Sequence, residues 1–255
     1  TLDTTGMVLP SGGMLVPGLG VTIRTINWAI EERSVANVSG RLLTLSAPTD
    51  YDVQTGYGFF LTGALWMLDS PGEWFYDEPT QTLYAWMPDG AAPGNRVTIT
   101  GLDTGLDLGD KEYVMVQDIS IRNTGTGANL TRSSSVSLSR VSIGDVANYG
   151  ISAENCQTCA MAVSSIARTG LDAINVIGPR TSQFSLTDSL IADSGSSLRT
   201  DGWRMLPRPA RAAVYAIGPQ SMVARNSVVG AGKLGIYAGA EAEIIENYVS
   251  QTCLT

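Results

Sequence analysis

The chain has 255 residues, 44% of them hydrophobic and only 16% charged; disorder needs less apolar content and more charge, and no apolar run approaches the ~20 residues of a membrane span. Its 16 Lys and Arg against 24 Asp and Glu leave a net charge of −8, which argues against nucleic acid or an anionic membrane as partner. Histidine is absent, and this excludes Ser-His-Asp and Cys-His nucleophilic systems, His-ligated zinc and His general bases together.

The sequence opens at Thr1 with no charged and apolar leader, as expected of a processed secreted protein or an excised segment. Val21 to Ile26 alternates with period two and predicts a strand. Arg41 to Ser46, after the turn-forming Ser39-Gly40, predicts another. Between them, Asn27 as a cap with two Glu following predicts a short helix over 26–33. Gly72-Glu-Trp-Phe-Tyr-Asp77 and Thr82-Leu-Tyr-Ala-Trp-Met87 flank the turn Glu78-Pro-Thr-Gln81 and read as a β-hairpin. Its Trp74, Tyr76, Tyr84 and Trp86 are expected to cover an open strand edge at the N-terminal end of the repeats that begin at Tyr113, with Glu73 and Asp77 fixing the turn. Residues 91–112 read as a connector, so 1–112 is expected to be a β-rich capping domain.

From Tyr113 the sequence is repetitive. One strand type includes Val116-Gln-Asp-Ile-Ser-Ile121, Leu138-Ser-Arg-Val-Ser-Ile143 and Leu186-Thr-Asp-Ser-Leu-Ile191. A second reads Tyr149-Gly-Ile-Ser-Ala153, Asp172-Ala-Ile-Asn-Val176, Ala212-Ala-Val-Tyr-Ala216 and Leu234-Gly-Ile-Tyr-Ala238, in steps of 23, 40 and 22 residues. The long step is one repeat plus an insertion of about 17 residues, within 195–211. Repeats of about 22 residues made of short β segments, with no helical period, are coils of a solenoid stacked at ~4.8 Å per strand. Ile151, Ile174, Val214 and Ile236 are expected to form one internal column, and Ile121, Ile143, Ile166, Ile191 and Val229 another. The sequence ends at Gln251-Thr-Cys-Leu-Thr255 without a closing signal, as expected where further C-terminal residues follow. Three cysteines (Cys156, Cys159 and Cys253) are too few for a disulfide framework. Cys156-Gln-Thr-Cys159 has redox or zinc spacing, yet without a second pair or a His it reads as small apolar residues at a turn, with at most one local bridge.

The insertion concentrates Arg199, Arg204, Arg208 and Arg211 with Asp201 and Trp203. It reads either as a groove wall for a uronate- or sulfate-bearing glycan or as a solvated loop whose arginines pair with surface acids. If the isoleucine column points inward, Ser152, Asn175, Tyr215 and Tyr237 point outward. Tyr215 and Tyr237 then sit on adjacent coils beside the insertion, as a saccharide platform or as packing beneath the loop.

In its repeat grammar (a β-branched strand, a small or Asn/Asp turn, then Gly-hydrophobic), 113–255 resembles the secreted right-handed parallel β-helix proteins of the pectate-lyase-like superfamily. Leu68-Asp-Ser-Pro-Gly-Glu-Trp-Phe-Tyr-Asp77 with Leu83-Tyr-Ala-Trp-Met-Pro-Asp-Gly90 looks like the domain preceding the helix in large bacterial β-helix glycoside hydrolases and polysaccharide lyases. The resemblance implies an all-β fold, a right-handed single-stranded parallel β-helix behind an N-terminal cap. It further implies a secreted or periplasmic bacterial protein with a neutral or anionic polysaccharide as substrate, although the fold also serves adhesins.

Glycoside hydrolysis needs two carboxylates across a groove. Asp172, Asp193 and Asp201 are the candidates near the insertion, and Asp172 and Asp201 flank the cleft best. A β-eliminating lyase needs the uronate charge neutralised and a base, often Lys, Arg or Tyr in this superfamily; Lys233, Arg211, Arg204 and Tyr237 fit those roles. Trp203, Arg204, Arg208, Asn175, Tyr215 and Tyr237 are the expected substrate contacts. No cofactor is expected for hydrolysis. Glu241-Ala-Glu243-Ile-Ile is faintly similar to the calcium-binding segment of the chondroitinase/alginate lyase branch, which makes calcium the cofactor of the lyase alternative. That branch expects a Lys where Asn247 and Tyr248 stand. A non-catalytic glycan-binding protein or adhesin is the third reading.

Overall fold

The computed structural model describes residues 1–26, 29–195 and 212–252. The chain divides into two compact units, Thr1–Arg96 and Val97–Thr255. In the first, the strands Leu2–Asp3, Leu42–Leu45, Ala29–Ser39, Gly20–Ile26 and Phe59–Thr62 form, in that spatial order, an antiparallel sheet. The two strands expected here are present. The expected helix over 26–33 is not: Ala29–Ser39 pairs with a strand on each of its edges. Local signals of capping and acidic residues are weak beside two ladders of hydrogen bonds, to the strand before it and the strand after it.

Glu31, read from sequence as a helix-start acid, is instead a buried acceptor. Its carboxylate takes hydrogen bonds from Thr25 Oγ1 (2.9 Å), the amides of Asp50 (2.7 Å) and Tyr51 (3.1 Å), and Arg33 (2.9 Å). Burial alone would raise its pKa, but those donors outweigh it and hold the group below its usual range. The core of this unit gathers Leu2, Leu19, Val21, Ile23, Val35 and Leu43. The aromatic hairpin forms as expected, from Trp74–Asp77 and Thr82–Ala85, with Phe75 and Tyr84 stacked at 6.3 Å. Glu73 accepts from the amides of Asp69 and Ser70, and Asp77 from the Thr80 hydroxyl.

The second unit is a parallel β-solenoid of three six-stranded sheets. The first sheet stacks Leu102–Asp107, Thr124–Asn129, Ile151–Glu154, Ile174–Ile177, Ala212–Ala216 and Leu234–Ala238. The second stacks Met115–Gln117, Ser137–Ser139, Ala160–Ala162, Ser185–Thr187, Met222–Ala224 and Glu243–Ile245. The third stacks Ser120–Arg122, Ser142–Val146, Ser165–Thr169, Leu190–Ser194, Ser227–Ala231 and Tyr248–Thr252. The solenoid therefore begins before Tyr113, because Leu102–Asp107 already pairs in parallel with Thr124–Asn129. Its Gly and Asp content, which reads as connector, belongs to the repeat. In four coils a glycine in or just before the first-sheet strand (Gly105, Gly127, Gly150 and Gly235) is placed so that an added Cβ would lie 2.3 to 2.5 Å from an Ile or Val methyl of the third sheet.

The expected column Ile151, Ile174, Val214 and Ile236 is in register. The other runs Ile121, Ile143, Ile166 and Ile191 but continues to Val228, not Val229. Because side chains alternate along a strand, this one-residue difference decides which valine is inside. Val116, Leu138, Met161, Leu186, Val223 and Ile244 make a third column, on the second sheet. Cys156 and Cys159 are both buried in this core as free thiols at a coil corner.

Corners repeat as faithfully as strands. Asp118, Arg140, Val163, Asp188, Arg225 and Glu246 each follow a second-sheet strand, and each has a left-handed φ between 51° and 58°. One residue on, a polar ladder runs along the solenoid. Ser164 Oγ accepts from the Val141 amide, Ser189 Oγ from Ser164, Asn226 Oδ1 from Ser189 and Asn247 Oδ1 from Asn226. These bonds satisfy backbone groups that would otherwise be buried without partners where the strands end.

Candidate functional site

The outward residues of the first sheet form a continuous strip. Ser152 is in register with Asn175, Asn175 with Tyr215 and Tyr215 with Tyr237, as the alternation requires. Earlier coils extend the strip to Asn129 and Asp107, two members that the sequence reading missed. Their signal was available: each directly follows an inward residue, Leu106 or Ala128, as Tyr215 follows Val214. Asn129 Nδ2 donates to Asp107 Oδ1 (2.8 Å), and the Gly109 amide donates to the same oxygen (3.0 Å). The amide bond first, then the Asn129 bond, hold the Asp107 carboxyl below its usual range.

At the other end of the strip Tyr215 and Tyr237 stack with centroids 4.9 Å apart and planes 11° from parallel. Coil spacing sets this separation, since adjacent parallel strands lie ~4.8 Å apart. Tyr215 is half-buried, while Tyr237 is 45% exposed. Asn175, one coil before Tyr215, is 3% exposed, and among the described residues its Oδ1 has no hydrogen-bond partner. A buried amide oxygen left so is costly and is a point at which a donor would be gained.

Asp172 lies two residues before Ile174, is 1% exposed, and accepts a hydrogen bond from the Ala212 amide (3.2 Å) across the coil interface. Its carboxylate thus holds the chain where it re-enters the first sheet after the insertion. Lys233 is exposed and immediately precedes Leu234, whose register partner is Ala212. Asp193, inside the third-sheet strand Leu190–Ser194, has a left-handed φ of 49° and lies beside Arg168 and Gly230. The candidates Arg199, Asp201, Trp203, Arg204, Arg208 and Arg211 lie outside the described residues. Glu241 and Glu243 are exposed, and among the described residues no three Cys, Asp or Glu side chains gather to hold a metal ion.

Two open grooves lie elsewhere. One, of about 420 Å³ in the first unit, is lined by Leu65, Tyr84, Trp86, Met87 and Pro93. The other, of about 730 Å³, runs along the solenoid corner over Arg140, Val163, Asp188, Leu190 and Arg225. Among the described residues no helix is long and apolar enough to cross a membrane.

Comparison with protein-family models, with curated proteins and with solved structures gave no match. What the resemblance in sequence and the structure share is the fold, a parallel β-solenoid of about six turns.

Proposed function

We propose that the outward strip of the first sheet, from Ser152 to Tyr237, is a polysaccharide-binding face, and that the protein works outside the cytoplasm as a carbohydrate-recognising β-helix. The observation that carries this reading is the Tyr215–Tyr237 stack. Two phenol rings fixed at coil spacing present a rigid apolar edge and two hydroxyls, and little conformational entropy is lost when they bind. A glycan alternates C–H and hydroxyl groups in the same manner. Ser152, two coils before Tyr215 in the same register, adds a hydroxyl, while Asn175 between them is 3% exposed.

Hydrolysis is the second reading, favoured by the burial of the Asp172 carboxylate beside the insertion that carries Asp201. In that reading Asp172 and Asp201 divide the acid and base roles. Elimination instead places Lys233, Arg211 and Tyr237 around a uronate, with calcium as the candidate cofactor.

Incubation of the chain with neutral and uronate polysaccharides separates the three. Retardation in polysaccharide-containing gels, without new reducing ends, is the result expected of a binding face. New reducing ends make the protein a hydrolase, and reducing ends with the ultraviolet absorbance of an unsaturated uronate make it a lyase. Free migration in every gel with no product overturns all three.

A further inference from the structure

The corner that follows the second sheet carries Asp118, Arg140, Val163, Asp188 and Arg225 in successive coils. Four of the five are charged, and the middle one is not. Val163 holds a left-handed φ of 51° and is 58% exposed. A β-branched side chain is a rare and strained occupant of that region, and strain kept at a surface points to a role outside the fold's own stability. Leu190, 45% exposed, lines the same open groove of about 730 Å³ as Val163.

The charges are antisymmetric about Val163. Arg140 stands one coil before it and Asp188 one coil after; Asp118 stands two before and Arg225 two after. Reversing the column end for end therefore exchanges every acid for a base, along ~19 Å at ~4.8 Å per coil. A second copy running antiparallel, about a two-fold axis level with Val163, meets this condition. It sets Arg140 against the partner's Asp188, Asp118 against the partner's Arg225, and Val163 against the partner's Val163. A parallel copy sets each charge against its own kind, which is destabilising.

The neighbouring columns permit the approach. Ser120, Ser142, Ser165, Leu190 and Ser227 are in register, so the same reversal lays Leu190 over the partner's Ser142. On the other side Ser139, Ala162 and Thr187, the three central members, are small.

Within one copy Arg140 already pairs with Asp118 and Arg225 with Asp188, in each case through Nε and Nη2 of the arginine. These pairs are half exposed. A carboxylate has room for about four donors and a guanidinium carries five, so each pair is able to share its charges with a second pair. Such exposed contacts add little affinity and chiefly set orientation. Burial of Val163 and Leu190 supplies the attraction.

We propose that this corner is a self-association surface, on which two copies of the chain meet antiparallel about Val163, bury Val163 and Leu190 and interleave their Asp–Arg pairs.

Sedimentation over a concentration series tests this, with melting curves confirming that every variant is folded. The chain is expected to pass from the mass of one copy to that of two, at higher concentration as salt is raised. Val163→Asn suits the left-handed backbone; it is expected to keep or raise the melting temperature while weakening association about tenfold or more. Asp188→Arg with Arg225→Asp keeps a pair within each copy but opposes like charges across the axis, and association is expected to weaken similarly. Asp118→Arg with Arg140→Asp does the same from the other half. Each double variant alone is expected to stay a single copy where the two, mixed, associate. The mass of one copy at every concentration of the unaltered chain overturns the proposal. Association undiminished by Val163→Asn overturns the contact at Val163. Undiminished association of either double variant, or no association on mixing them, overturns the antiparallel order.

Discussion

In the antiparallel unit, Leu43 is enclosed by residues from separate parts of the chain, among them Leu2, Leu19, Val21 and Val35. In the solenoid, Ile166 lies between Ile143 one coil before and Ile191 one coil after, and nearly the same surroundings recur at each rung. The first core is a set of individual fits; the second is one fit repeated. A repeated fit leaves a periodic trace in the sequence and distributes stability over like interfaces, whereas an individual fit leaves no such trace.

Alanine substitutions measure this contrast most strongly. Ile143→Ala, Ile166→Ala and Ile191→Ala are each expected to cost about 2–5 kcal/mol. In urea denaturation the three should agree within about 1 kcal/mol, a margin set by how far like sites relax alike. Leu19→Ala, Ile23→Ala and Leu43→Ala fall in the same range but are expected to scatter more widely. Equal scatter in the two sets breaks the comparison.

Polar interiors are the next contrast. Asn226→Ala removes the acceptor of the Ser189 amide and the donor to the Leu186 carbonyl. It is expected to cost about 1–3 kcal/mol, with Asn226→Ser recovering part, because Ser164 and Ser189 serve as rungs in earlier coils. In the first unit Glu31→Gln keeps the volume but loses the charge that draws four donors, and a smaller loss of thermal stability is expected at neutral pH. Because the folded pKa of Glu31 lies below its unfolded value, its contribution is present above the unfolded pKa and disappears as pH falls through the folded one. The gap between wild type and Glu31→Gln should therefore narrow in acid. A gap that widens contradicts the assignment.

The smallest effects belong to the exposed corner pairs. Arg140, Arg132 and Arg225 hydrogen-bond Asp118, Asp110 and Asp188 and hold those carboxyls below their usual range. Their stabilisation is present above the unfolded carboxylate pKa of about 4, is lost in acid below it, and is weakened by salt. Substituting Asp118→Asn together with Arg140→Gln should leave the neutral melting temperature nearly unchanged while reducing its acid and salt dependence.

How far the sequence is legible follows the same division. The column Ile151, Ile174, Val214 and Ile236 and the outward pair Tyr215 and Tyr237 were readable because one register, once found, places every coil. Val228 was missed for Val229 because adjacent valines carry no alternation to choose between them. The strand Leu102–Asp107 was hidden by glycine and aspartate, residues that here serve close packing and corners. Ser164, Ser189, Asn226 and Asn247 look like ordinary turn residues until stacking aligns them. The helix expected over 26–33 failed for another reason: capping and acidic signals are weak, and the pairing that decides Ala29–Ser39 is with the strands on either side of it in sequence, Gly20–Ile26 and Leu42–Leu45. At the candidate site, the residue types beside the insertion were legible but the distances between them were not. Asp172 is an example, since its bond to the Ala212 amide appears only when the coils are stacked.

The binding face is tested most directly by titrating the polysaccharide that most retards the chain against wild type, Tyr237→Ala and Tyr215→Ala, with circular dichroism confirming an intact solenoid. The tyrosine strip predicts that each variant binds about tenfold or more weakly, the effect of removing an aromatic anchor. A Trp86→Ala control in the first unit should bind as wild type. Unchanged affinity in both tyrosine variants, with loss in Trp86→Ala, would contradict the account and move the site to the groove of the aromatic hairpin.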